Sequence, residues 1–129
     1  MPDYMLLLYA AEANEDEARD RWEELPLWME ITESLAKAGV LVANSPLHPV
    51  ASATTVRVRE GETALTDGPF ATTKEVLAGF YILRCEDLDE ALRHAARLPT
   101  ARYGSVEVRP LMGASEVPRP GAERQDGRG

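Results

Sequence analysis

Short continuous apolar runs alternate along this chain with stripes of apolar residues at helical spacing. The runs at 4–10 and 77–83 are apolar at nearly every position, which is typical of strands covered on both faces. The segment 54–59 alternates valine with arginine after two threonines and predicts a half-exposed strand. Glu60-Gly61 predicts a tight hairpin turn after it. Three further short strands are expected at 40–43, 62–66 and 105–110.

The first helical region lies between the first apolar run and residue 40. Asn14 and Glu17 have the spacing of a capping box. Pro26 suits the first turn of a second helical piece, after a break near Leu25, and Gly39 is expected to end that piece. Its apolar residues recur at spacings of three and four and therefore form one stripe: Trp28, Ile31, Leu35 and Ala38.

Another helix is expected between Asp87 and Pro99. Asp87 and Glu90 repeat the capping-box spacing, and Pro99 cannot continue a helix. His94 lies off the apolar stripe and is expected to be solvated. The stripe consists of Leu88, Ala91, Leu92, Ala95 and Ala96.

The order of these elements is strand, helix, several strands, helix, strand. This order predicts an α+β fold, a ferredoxin-like split βαβ sandwich with an antiparallel sheet and both helices on one face. The runs 4–10 and 77–83 are apolar on both faces, yet two helices can cover only one face of the sheet. Because an uncovered apolar sheet face is unusual on a monomer, we expect a homodimer in which a second copy or a ligand covers it.

Composition sets the domain organisation and excludes several classes of protein. The length of 129 residues suits one domain, assigned to 1–112, and the Gly, Pro and polar residues of 113–129 predict a disordered tail. The net charge is −8, and an acidic run between Glu12 and Glu33 predicts a solvated helix face and disfavours direct nucleic-acid binding. A single cysteine, no apolar run of about 20 residues and no basic start favour a cytoplasmic protein without a membrane segment.

The loop 66–75 concentrates charged side chains before an apolar run and is the candidate site. Asp67 either fixes the Asp-Gly-Pro corner through an Asx turn or acts as a catalytic acid or base. Glu75 either closes a capping box with Thr72 or contacts a ligand. Lys74 suits an anionic or carbonyl-bearing ligand, although an exposed ion pair would have the same sequence. Phe70 is assigned to ligand binding beside them.

Two further candidates lie outside this loop. His48 stands between two prolines and is either a general base that acts on a ligand or a loop histidine bonded to water. Tyr81 lines an aromatic pocket with Tyr9 and Trp28, or belongs to the core. Gly79 inside a strand predicts a bulge or a close backbone approach. The chain has no common metal-ligand spacing, glycine-rich phosphate loop or nucleophile elbow, so neither metal nor cofactor is expected.

Four blocks in chain order carry a family resemblance. Asp67-Gly68-Pro69-Phe70 precedes Lys74-Glu75, and the other blocks lie at 4–9, 53–57 and 106–110. Together they resemble the YCII-related family, in its DGPF-domain branch, over about residues 3–111. The resemblance implies a dimeric α+β barrel and an extracytoplasmic-function sigma factor as a candidate partner. The His–Asp pair of some members is absent, because the matching positions are Trp28 and 98–100.

Three functions follow as hypotheses. The first is a homodimer with a small-molecule cleft at the loop 66–75, and such a cleft could serve a cofactor-independent enzyme with His48 and Asp67 as catalytic groups. The second is a regulatory accessory module that contacts a sigma factor. The third is a purely structural dimer in which the Asp67 loop only holds the turn.

Overall fold

The computed structural model describes residues 1–69 and 73–118. The strands are β1 (Asp3–Ala10), β2 (Leu41–Pro46), β3 (Thr54–Arg59), β4 (Glu62–Asp67), β5 (Val76–Arg84) and β6 (Ser105–Pro110). The helices are α1 (Glu15–Glu23), α2 (Leu25–Lys37), α3 (Leu88–Arg97) and α4 (Thr100–Tyr103), with a 3₁₀ turn at Val50–Ser52.

Four of the strands form one antiparallel sheet in the order β2-β5-β1-β6. This order confirms the predicted ferredoxin-like α+β plan. The two apolar runs of the sequence become the central strands β1 and β5. Strands β3 and β4 form a separate two-stranded hairpin between β2 and β5.

Alternate residues of β1 point to opposite faces of the sheet. Those on the helix side, Tyr4, Leu6, Leu8 and Ala10, are buried. The first three share one core cluster with Ile31 and Leu35 of α2 and with Ala91 and Ala95 of α3. Both long helices therefore cover the same face of the sheet, as predicted. The other face carries half-buried apolar residues without a helix over them: Met5, Leu7, Phe80 and Ile82.

The ends of α1 and α2 follow the sequence signals. Asn14 Oδ1 accepts a hydrogen bond from the Glu17 N–H at 2.8 Å, and the Asn14 N–H donates to Glu17 Oε1, so the capping box is confirmed. After α2, the Val40 N–H donates to the Leu35 carbonyl at 3.0 Å. Gly39 has a φ of 75° there, which closes the helix in the manner of a Schellman motif.

Helix α3 differs from its predicted stripe. Ala91 and Ala95 are buried, but Leu88 and Leu92 are each 46% exposed. Small alanine side chains let the helix approach the sheet closely, and this rotates the larger leucines toward solvent. The same rotation makes the expectation of a solvated His94 wrong, because its side chain is only 18% exposed.

The start of α3 is also capped differently from the prediction. Asp87 Oδ1 accepts from the Glu90 N–H at 2.9 Å as expected. The Glu90 carboxylate instead accepts from the Glu86 N–H at 2.8 Å. Pro99 does end α3, but it also begins the short helix α4, which the sequence pattern did not predict.

The β3–β4 hairpin turns at Glu60-Gly61, with φ values of 53° and 80°. Positive φ at both positions is the type I′ geometry that matches strand twist, and it confirms the predicted turn. The expected half-exposed strand 54–59 is more exposed than predicted, since Val56 and Val58 are 60% and 56% exposed. The hairpin does not pair with the main sheet, and all residues of its two strands except the half-buried Thr55 are exposed.

The acidic run lies mostly on an exposed helix, and the predicted tail is only partly within the described residues. Helix α1, which carries most of the acidic run, has no buried residue, as expected of a solvated face. Of the predicted tail, residues 113–118 form an exposed turn, and residues 119–129 lie outside the described part of the chain. Among the described residues, no helix has the length and apolar character needed to cross a membrane.

A candidate ligand cleft between the helices and the sheet edge

A cleft of about 820 Å³ lies between the α1–α2 pair and the β2 edge of the sheet. Small-molecule sites in proteins commonly have volumes of ≈ 300–1,000 Å³ and mostly apolar walls. Residues of β2, including Asn44 and Pro46, form the wall opposite the helices. Leu8 of β1 and Tyr81 of β5 form its floor. Size and composition thus match a ligand site.

The helix wall of the cleft is an apolar stripe that continues across the break between α1 and α2. Its members are spaced three and four residues apart, so they share one face of the helix pair. Trp22, Leu25 and Met29 on this stripe are 70%, 43% and 62% exposed. The complete stripe is Ala18, Trp22, Leu25, Met29, Thr32 and Ala36. It leaves large apolar side chains facing an open cavity.

Tyr81 gives the floor of the cleft its polar group. Its ring is 4% exposed and stacks on Trp28, with ring centroids 6.3 Å apart. Its hydroxyl lies 2.7 Å from Thr32 Oγ1, and Asn44 is its register partner on β2. Burial raises the pKa of Tyr81, while hydrogen bonds to Thr32 and Asn44 oppose that rise. The phenol is therefore neutral at neutral pH and acts as a hydrogen-bonding group.

Among the described residues, Arg21 is the one arginine that lines the cleft, and it lies at the rim. Arg21 Nη1 donates to the Ala11 carbonyl at 3.0 Å, and its guanidinium carbon lies 4.6 Å from the centre of the Tyr103 ring. Such a contact fixes the cation against an aromatic face. Thr100, which is 4% exposed, lines the cleft close to this end. Trp28 and Thr100 thus both belong to the cleft lining.

The predicted site residues are distributed over several places. Tyr81 lines the cleft, and His48 lines a neighbouring cavity of about 140 Å³. The two cavities share Arg21 among their lining residues. Asp67, Lys74 and Glu75 line neither of them. Phe70 lies outside the described residues.

Backbone bonds hold the Asp-Gly-Pro corner. The Gly68 N–H donates to the Ala53 carbonyl at 2.7 Å, and Thr55 Oγ1 donates to the Gly68 carbonyl at 2.9 Å. The Asx-turn interpretation of Asp67 is wrong, because the residue two positions on is Pro69, which has no N–H. The carboxylate of Asp67 is exposed.

Glu75 also has a local partner. Its Oε1 accepts from Ser105 Oγ at 2.8 Å, which ties the end of the loop to β6. Thr73 Oγ1 donates to the Glu75 carbonyl. The capping box proposed for Thr72 and Glu75 involves a residue outside the described part of the chain, and the residues from 73 to 75 are not helical.

Gly79 brings the β2 backbone close to β5. A Cβ at this position would lie 2.9 Å from the Ser45 carbonyl oxygen, a distance that real side chains do not adopt. The β1–β5 register also shifts between Leu8 and Tyr9, opposite Gly79 and Leu77. Both predicted roles of Gly79, a bulge and a close approach, are confirmed. The glycine thereby sets the position of the β2 wall of the cleft.

The sequence pattern does not predict most of the helix wall. Trp22, Met29 and Thr32 stand among acidic residues and beside the core stripe that begins at Trp28, and this obscures their common spacing. The available signal was a second stripe of apolar residues at helical spacing beside the first. An amphipathic helix with two apolar stripes buries one and leaves the other for a partner or ligand.

Comparison with known proteins agrees with this architecture. A sequence model of the YCII-related domain matches residues 3–115. An uncharacterized protein of Rhizobium meliloti (strain 1021) is 47% identical over 83 residues, which cover 63% of this chain and 67% of that protein. The chain belongs to the YCII-related family.

Proposed function

We propose that this protein binds a small, largely apolar molecule in the cleft between the α1–α2 pair and β2. The observation that carries the proposal is the exposed apolar stripe facing a cavity of about 820 Å³. A bound apolar ligand would remove Trp22, Leu25 and Met29 from water, at a gain of about 25 cal/mol for each Å² of apolar surface covered.

The polar groups of the cleft define the ligand further. The hydroxyl groups of Tyr81 and Thr32 and the amide of Asn44 form one polar cluster in an otherwise largely apolar lining. This cluster suits one hydroxyl or carbonyl group on the ligand, since each of its members can donate or accept a hydrogen bond. A flat ring suits the remaining volume, because Trp22, Trp28 and Tyr103 all line it.

This lining favours binding over catalysis. The Tyr81 phenol is neutral and cannot serve as a base at neutral pH. His48 in the neighbouring cavity is the candidate general base for a ligand that reaches both cavities. Homodimerisation through the opposite face of the sheet would leave the cleft accessible, because the helices and the cleft share the other face.

Tryptophan fluorescence tests the proposal directly. The chain has two tryptophans, and both line the cleft, so their emission reports on this cavity alone. In a fragment screen read by this signal, flat apolar compounds with one hydroxyl or carbonyl group are expected to bind. Tyr81→Phe and Thr32→Val should each weaken a hit about three- to tenfold, the worth of one hydrogen bond.

Matched controls separate the cleft from the charged loop. Leu92→Ala, on the exposed side of α3, should leave binding unchanged. Asp67→Asn and Lys74→Ala should also leave it unchanged if the ligand occupies the cleft. Loss of binding in Lys74→Ala, with unaltered affinity in Tyr81→Phe and Thr32→Val, would place the site at the loop and overturn the cleft proposal.

A further inference from the structure

Three side chains with metal-ligating atoms converge at the start of α3, outside the lining of the cleft. Cys85 Sγ, a carboxylate oxygen of Glu90 and a ring nitrogen of His94 all lie within 4.8 Å of one another. We propose that these three residues bind one Zn²⁺ ion, with water as the fourth ligand. The proposal is independent of the ligand cleft.

The fold itself brings these residues together. Cys85 directly follows β5, and its N–H donates to the Pro2 carbonyl at 3.1 Å, which fixes it beside the helix start. Glu90 and His94 are four residues apart on α3 and therefore lie on one helix face. The five-residue separation of Cys85 and Glu90 matches no common zinc spacing, so the sequence alone does not reveal the cluster.

The distance between the two helix ligands fits a tetrahedral ion. Glu90 Oε2 lies 3.3 Å from His94 Nε2. Zinc bonds of about 2.0–2.1 Å to oxygen and nitrogen place two ligands of a tetrahedral site about 3.3 Å apart. The other carboxylate oxygen, Oε1, accepts from the Glu86 N–H at 2.8 Å, which holds the carboxylate in place as outer-shell bonds do in metal sites.

The donor set selects the type of metal. One sulfur, one nitrogen and one oxygen favour zinc over magnesium or calcium, which prefer oxygen ligands. Metal ligands bind in their deprotonated forms, so Glu90 would bind as a carboxylate and Cys85 as a thiolate. Burial, with the charges of Glu90 and Asp87, raises the pKa of the Cys85 thiol to about 11. The thiol proton therefore passes to solvent when the ion binds, and the two anionic ligands then balance the charge of Zn²⁺.

The cluster is partly open to solvent, which gives the ion a route of entry. The side chains of His94 and Glu90 are 18% and 21% exposed, whereas Cys85 is fully buried. A site with three protein ligands and one accessible position is the arrangement found in catalytic zinc sites.

One neighbouring arginine competes with the ion. Arg97 Nη1 lies 3.5 Å from His94 Nδ1, and because a guanidinium can only donate, this contact favours the tautomer of the metal-free ring with its proton on Nε2. Zinc at Nε2 requires that proton to move to Nδ1, and Arg97 must then withdraw. Because Arg97 is exposed and also bonds Ser34 Oγ at 3.1 Å, it can move away. Arg97→Gln is therefore expected to tighten zinc binding.

The test uses the full chain without a histidine tag, titrated with Zn²⁺ by calorimetry and with Co²⁺ by absorption spectroscopy. We expect one ion per chain, a thiolate-to-cobalt charge-transfer band, and at least a tenfold loss of affinity in His94→Gln. Cys85→Ser should lose the band. The band in the wild-type protein reports sulfur coordination even if Cys85→Ser does not fold.

A histidine outside the cluster provides the matched control for zinc binding. His48→Gln, the other histidine of the chain, should leave the affinity unchanged. Zinc that binds only at millimolar concentration would overturn the proposal. So would tight binding that is equally strong in His94→Gln and gives no charge-transfer band, since the ion would then occupy acidic residues elsewhere.

Discussion

At the scale of single residues, two glycines decide how closely the strands and helices approach one another. Gly104 lies between α4 and β6, and a Cβ there would overlap the Tyr9 carbonyl oxygen. At Gly79, an added Cβ would lie 2.9 Å from the Ser45 carbonyl oxygen. Both obstacles are backbone atoms of β-strands, which cannot rotate away as a flexible side chain can.

Gly104→Ala should therefore lower the free energy of unfolding more than Gly79→Ala. Overpacking of a rigid site costs about 1–3 kcal/mol and occasionally more, so we expect about 3 kcal/mol or above for Gly104→Ala and about 1–3 kcal/mol for Gly79→Ala. Urea denaturation followed by circular dichroism measures both. Gly113→Ala is the control, since its Cβ would meet only the Glu116 carboxylate at 3.3 Å. Equal stability of all three variants would contradict this packing.

The ion pair between Asp3 and Arg84 should make the stability of the fold depend on pH in the acid range. Arg84 Nε and Nη2 donate to the two carboxylate oxygens of Asp3 at 2.9 and 3.2 Å, and this bond lowers the pKa of Asp3 from 3.8. A lowered carboxyl pKa stabilises the fold above the unfolded-state value and loses that effect as the pH falls through the folded-state value. Wild type should therefore be more stable than Asp3→Asn at neutral pH.

The difference between the two proteins should shrink as the pH drops below 3.8, the value for an unperturbed aspartate. Urea midpoints measured across the acid range test this. Asp89→Asn, at an exposed position of α3, is the matched control and should show a smaller change. A gap between wild type and Asp3→Asn that stays constant with pH would rule out the Arg84 bond as its cause.

At the scale of elements, the cap of α3 matters more than the cap of α1. Helix α3 contributes Ala91 and Ala95 to the core, whereas α1 buries no residue. Loss of the α3 cap should therefore lower the free energy of global unfolding. Fraying of α1 should remain local, because few contacts join it to the core.

Asp87→Ala is expected to cost about 1 kcal/mol of global stability, the usual effect of losing an N-cap side chain. Asp87→Asn keeps an oxygen acceptor for the Glu90 N–H and should recover most of that loss. Asn14→Ala should instead increase amide hydrogen exchange within α1 with little change in the urea midpoint. A larger midpoint shift for Asn14→Ala than for Asp87→Ala would contradict this ranking.

Element types and most boundaries could be predicted from the sequence because the signals are local. Asn14, Gly39 and Glu60-Gly61 act through backbone geometry within a few residues, and each is found in its predicted role. The orientation of α3 could not be predicted. Its apolar stripe has both alanine and leucine, and the choice between them depends on how closely the helix packs on the sheet, which is a tertiary effect.

At the scale of the whole molecule, one face of the main sheet lacks a helical cover. Met5, Leu7, Phe80 and Ile82 lie there half-buried. The prediction of a homodimer rests on this face, and a stable interface of roughly 800 Å² per partner would cover it. The regulatory alternative, contact with a sigma factor, stays a prediction of the family resemblance.

Charge placed on this face should prevent dimerisation. Leu7 and Phe80 are register partners, so Leu7→Arg combined with Phe80→Arg would bury two unpaired cations from each copy in the interface. Sedimentation at micromolar concentration should give a dimer for wild type and a monomer for the variant. Leu92→Arg, on exposed α3, is the control and should remain dimeric. A monomeric wild-type protein would refute the prediction.

The candidate site could be predicted only in part. Residue type predicts Tyr81 and His48 as site residues, and both line cavities. It does not predict the helix wall of the cleft or the Cys85, Glu90 and His94 cluster, because each joins residues from separate elements. Distances between elements depend on packing, for example on the approach that Gly79 permits, and sequence spacing does not encode them directly.

The position of β1 in the centre of the sheet has a consequence for synthesis. Its neighbours β5 and β6 do not begin until residues 76 and 105. At a synthesis rate of about 5–20 residues per second, the apolar strand β1 remains unpaired for on the order of several seconds. An unpaired apolar strand is prone to aggregate during this interval. The four-stranded sheet can form completely only after β6 has left the exit tunnel.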